Sequence, residues 1–103
     1  MATSKLKDDL IDNLFEAILL LKNEQECYKF FEDICTVSEL KAMAQRLEVA
    51  RMTKEGNTYD NIVDRTGVST ATIARVKRCL DYGAGGYKLI LKRIDDKNKA
   101  KDK

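Results

Sequence analysis

The chain has 103 residues, 44% of them hydrophobic and 35% charged, with 19 Lys and Arg against 17 Asp and Glu and neither His nor Pro. That is one small domain, short enough that sharing a core with a second copy is expected. Without His the usual general base and the commonest zinc ligand are missing, so neither a catalytic residue nor an enzyme is expected. Cys27, Cys35 and Cys79 form no CxxC pair and cannot complete a four-ligand zinc set, which leaves three reduced, partly buried thiols and no metal site. Charges stand where a secretory signal needs its apolar run, and the longest such run, Ala17 to Leu21, is far short of the ~18 residues of a membrane span. A cytoplasmic protein with no membrane partner is the expectation.

Apolar residues recur at helical spacing and the glycines fall between the periodic segments, which predicts an all-α chain of six helices. The first runs from Ser4 to Lys22, and its second half is apolar on more than the single stripe one core requires. That surplus predicts a second chain. Asn23 with Glu26, and Thr36 with Glu39, have capping-box spacing and start helices two and three. Helix two carries Tyr28, Phe31 and Ile34. Helix three carries Leu40, Met43, Ala44, Leu47 and Ala50 and stops at Gly56. Two short helices follow over 58–81, the second capped by Ser69. A last helix spans Tyr87 to Ile94, which makes 1–94 one helical domain and 95–103 a flexible Lys-rich tail.

The segment YDNIVDRTGVSTATIARVKR, Tyr59 to Arg78, has the pattern of a helix-turn-helix. Gly67 supplies the turn, and Val68, Ile73 and Val76 close the second helix onto Ile62. Ser69, Thr70, Ala71 and Thr72 then offer short hydroxyls and a methyl to base edges in a major groove, while Arg75, Lys77 and Arg78 suit phosphates. Between Arg65 and Leu80 there are four basic residues and no acidic one, whereas Leu6 to Leu40 holds nine acidic against three basic. Local positive charge of this kind attracts nucleic acid more than the net charge of +2 suggests.

From FFEDICTVSELKAMAQRLEVARMTKEGNTYDNIVDRTGVSTATIARVKRCL through YGAGGY, the chain resembles the Trp repressor superfamily, and more closely its small YerC/YecD-type branch. The resemblance implies a six-helix Trp repressor-like fold, an intertwined homodimer, and two helix-turn-helix units reading successive major grooves of double-stranded DNA. Thr70, Ala71 and Thr72 match positions that face base pairs, whereas Asp60 and Asp81 stand where the repressor has basic residues.

The resemblance also implies a site for an amino-acid-like effector. Arg46 and Arg75 match the two arginines that sandwich the repressor's indole, and Thr36 matches a pocket-lining threonine. Val76 stands where the repressor has glycine, and Cys79 where it has serine. A different small effector, or none, is therefore expected instead of tryptophan, with no resident cofactor. The expected function is a sequence-specific, homodimeric transcriptional regulator acting as a repressor. The alternative is a helical dimer that binds a protein partner without specific DNA recognition.

Overall fold

The computed structural model describes residues 7–101, and all regular structure among them is helical. The elements are α1 (Asp9–Leu19), α2 (Glu24–Ile34), α3 (Val37–Lys54), α4 (Tyr59–Thr66), α5 (Thr70–Tyr82) and α6 (Gly86–Lys101). No helix among the described residues is long and apolar enough to cross a membrane.

Side-chain caps set most of the helix starts. The Asp8 carboxylate accepts the Ile11 N–H at 2.8 Å, so α1 begins at Asp9 and ends at Leu19, inside the expected Ser4–Lys22. Ser4 itself lies outside the described residues. Asn23 accepts the Glu26 N–H at 2.9 Å, but Glu26 returns its carboxylate to the N–H of Lys22 instead of Asn23. The Thr36–Glu39 box closes in both directions, at 3.1 and 2.8 Å. Backbone N–H donation from Thr36 is the main cause that holds the Glu39 carboxyl below its ordinary value.

Two compact units divide after Leu40. In the N-terminal unit neither α1 nor α2 has a buried side chain. Leu10, Leu19 and Leu20 are more than three-quarters exposed, at 81%, 83% and 76%. Phe30 and Phe31 meet edge to face, with ring centroids 5.5 Å apart.

The C-terminal unit holds the core. Val49, Ala50 and Met52 of α3, Ile62 of α4, Ile73, Val76 and Leu80 of α5 and Leu91 of α6 are buried together, with Val63, Val68 and Tyr87 packed against them. The helix-three face expected to be apolar only partly joins this core. Met43 and Leu47 stay exposed because the core takes the neighbouring face, on which Val49 and Met52 share a side with Gln45 and Glu48 at i,i+4 spacing.

Helix α6 runs well past its expected end at Ile94. It continues through Asp95–Lys101, residues expected to be a flexible tail. Lys92 pairs with Asp96 at 2.9 Å, one turn on, and Lys54 of α3 reaches Asp95 at 3.4 Å. Lys99 and Lys101 sit in the last turn, where the helix dipole favours cations.

Candidate nucleic-acid interface

The segment of α4 and α5 is built around its turn. Thr58 caps α4 by accepting the Asn61 N–H at 3.2 Å. The helix ends at Gly67, whose φ of 74° lies in the left-handed region, and the Gly67 N–H donates to Val63 O at 2.8 Å. The Thr66 hydroxyl donates to Ile62 O at 2.7 Å. Two residues later Ser69 caps α5, accepting the Thr72 N–H at 3.2 Å.

Buried Ile73, Val76 and Leu80 form the inward stripe of α5. At 100° per residue, Ala71, Arg75 and Arg78 point away from it, and Thr70 and Lys77 lie along one flank. Ser69, Thr70, Ala71, Arg75, Lys77 and Arg78 are all exposed, and Thr72 is half-buried. The Thr72 hydroxyl lies 3.1 Å from Ser69 Oγ, and either can donate, so the pair can present a donor or an acceptor outward.

Among the described residues Arg75, Lys77 and Arg78 have no carboxylate within 4.0 Å, whereas Arg65 is bound by Glu48. Glu48 and Gln45 escaped sequence reasoning as functional residues. The Glu48 carboxylate accepts both Nε and Nη2 of Arg51, at 2.7 and 2.8 Å, and Nε of Arg65 at 3.3 Å. Hydrogen bonding from Arg51 is the leading cause that lowers its pKa from the ordinary 4.5. Gln45 Nε2 donates to Thr66 O at 3.0 Å. Their i,i+3 spacing marked one face of α3, but no sequence pattern announced what that face touches. Among the described residues Glu48 pairs with Arg51 and Arg65 and not with Arg46.

The residues matched to an effector site are placed as follows. Thr36 caps α3 with its hydroxyl engaged by Glu39, Arg46 is half-buried on α3, and Arg75 is exposed on α5. Val76 is 2% exposed and belongs to the core. A surface cavity of about 400 Å³ in the C-terminal unit is lined by Leu47, Cys79, Tyr87, Ile90 and residues 83–86, and by none of Thr36, Arg46 and Arg75. All three cysteines are free. Cys27 and Cys35 are half-buried, while Cys79, expected to be partly buried, is exposed. No group of residues suited to a metal ion occurs among the described residues.

The model of the Trp repressor protein family matches residues 9–95. The uncharacterized protein YerC of Bacillus subtilis (strain 168) is 54% identical over 96 residues, covering 93% of this chain and 92% of its own. A crystal structure of a TrpR like protein from Eubacterium eligens ATCC 27750 superposes with a TM-score of 0.85 at 49% identity, covering 88% of this chain and 94% of that one. A Staphylococcus aureus protein provisionally described as a Trp repressor gives a TM-score of 0.84 at 52% identity, covering 88% and 91%.

Proposed function

The chain belongs to the Trp repressor family, and from that premise we propose that it is a homodimeric, sequence-specific DNA-binding regulator of transcription acting as a repressor. The observation that carries the proposal is the outer face of α5. Exposed Thr70 and Ala71 at its N-terminal turn are followed by the exposed cations Arg75, Lys77 and Arg78, without a carboxylate partner among the described residues. Short side chains let a helix approach base edges, and cations along it release counterions from phosphates. The α4–α5 pair then acts as the helix-turn-helix, with Ser69 serving the helix as its cap and Thr72 reading bases beside it.

Homodimerisation is supported by the uncovered leucines of α1 and by Met43 and Leu47 of α3. A two-fold dimer presents two copies of α5 to half-sites about one helical turn apart. Repression follows from occupancy of a promoter, since α5 offers DNA contacts and needs no further surface for that effect.

Selection from random duplex DNA, with and without a pool of amino acids that includes L-tryptophan, tests the proposal. Enrichment of a palindrome supports it, and dependence on the pool assigns Thr36, Arg46 and Arg75 to an effector. Absence of any enriched sequence in both conditions would sink it and favour a protein partner for the α5 face.

A further inference from the structure

Two side chains of α3 grip consecutive residues at the end of α4. Gln45 donates to the carbonyl of Thr66 at 3.0 Å, across 21 positions of sequence. Glu48, one turn further along the same face, holds Arg65 at 3.3 Å across 17 positions. These bonds act at the end of α4, where the chain has just spent its helical hydrogen bonds. Thr66 O is a terminal carbonyl with no helical successor, half-buried with its residue, and such a group loses free energy if it has no donor. Glu48 is itself fixed by the two-pronged contact with Arg51, at 2.7 and 2.8 Å, so Arg65 is tied to a side chain that has little freedom.

Gly67, the next residue, has no side chain to restrict it, and Val68 is held by a long 3.4 Å bond from its N–H to the Thr66 hydroxyl. Ile73, Val76 and Leu80 seat the rest of α5 in the core, so a change in the direction of Thr66 is passed through Gly67 and Val68 to the first turn of α5. We propose that Gln45 and Glu48 are positioning residues: a double tether from α3 that sets the pose of the first turn of α5 through the α4–α5 turn. The consequence for base discrimination rests on the DNA-binding function proposed above; the tether itself does not. Arg65 is thereby assigned to aligning the turn.

The test uses the full chain with Gln45→Met, which keeps length and removes the donor, and Glu48→Gln, which keeps shape and removes the charge. Amide hydrogen exchange is followed at Gly67 and Val68 and, as an internal reference, at Leu91 in the core. Binding is measured to a selected duplex and to a random one. The expected result is about tenfold faster exchange at Gly67 and Val68 with Leu91 unchanged. Affinity for the selected duplex should fall about tenfold, with random-duplex affinity within about twofold and the salt slope unchanged.

Unchanged exchange at the turn overturns the tether. Equal acceleration at Leu91 also overturns it, by showing general destabilisation. Equal losses on both duplexes refute the link to base discrimination. Should the unmodified chain prefer no duplex at all, the DNA-binding function fails, and the exchange measurement still decides the tether.

Discussion

At the scale of single residues, two glycines carry different loads. Gly67 adopts φ 74° with open space around it, so Gly67→Ala should cost about 1–2 kcal/mol through backbone strain alone. At Gly83 the φ is unremarkable, but an added Cβ would lie 2.4 Å from the Cys79 carbonyl oxygen. Gly83→Ala must therefore shift backbone, at about 1–3 kcal/mol. Denaturant midpoints of both variants check these values, and no loss in either would contradict the local geometry. On the outer face, Thr72→Ala should change the preferred base pairs by about 1–3 kcal/mol, while Lys77→Ala weakens all duplexes alike and lowers the salt slope by about one. Titrations at several salt concentrations separate the two effects. Glu48 sets a pH dependence. Its folded pKa is lowered from 4.5, chiefly by hydrogen bonding from Arg51, so the ionised form favours folding. That stabilisation is complete above the ordinary value and is lost as pH falls through the lowered one. Glu48→Gln should accordingly flatten the acid limb of a stability curve measured below pH 4.5.

At the scale of helices, the caps at Asn23, Thr36 and Ser69 were legible because capping is local: the partner is two or three residues away. Ile73 and Val76 of the inward stripe of α5 were legible for the same reason, since they repeat at helical spacing, while Leu80 completes the stripe one turn beyond the residues that the sequence singled out. The role of α3 was not. Its sequence contains two candidate faces, one with Met43 and Leu47 and one with Val49 and Met52, and periodicity cannot say which of them a neighbour will cover. The end of α6 was not legible because no large apolar residue follows Ile94. Its continuation is accompanied by ion pairs to Asp95 and Asp96, one of them from α3 forty-one positions away. Such exposed pairs are individually weak, which makes the end of α6 easy to unravel. Replacing both aspartates by asparagine should speed amide exchange over 97–101 several-fold and leave the core amides around Leu91 unaltered. Retained protection at 97–101 would show that backbone propensity alone sustains the last turns.

At the scale of the whole molecule, the candidate reading face was visible in the sequence because it needs only one short segment, whereas the tether that orients it joins residues far apart in the chain. The N-terminal unit states its own requirement. Eleven-residue α1 buries no side chain, and a helix that short has little stability in water without a packed face. The expected solution species is a dimer of the 11.7 kDa chain, and Leu19→Glu, which puts a charge on an apolar side chain 83% exposed in a single chain, should shift sedimentation toward monomer and reduce binding to a palindromic duplex. Dimeric behaviour unaffected by Leu19→Glu would place the interface elsewhere. The bare leucines also bear on dosage. If two chains must meet before a site can be filled, occupancy at low copy number rises with the square of the amount synthesised. Halving production would then empty the promoter by more than half, and the regulated gene would respond to its controller as a threshold instead of a proportion.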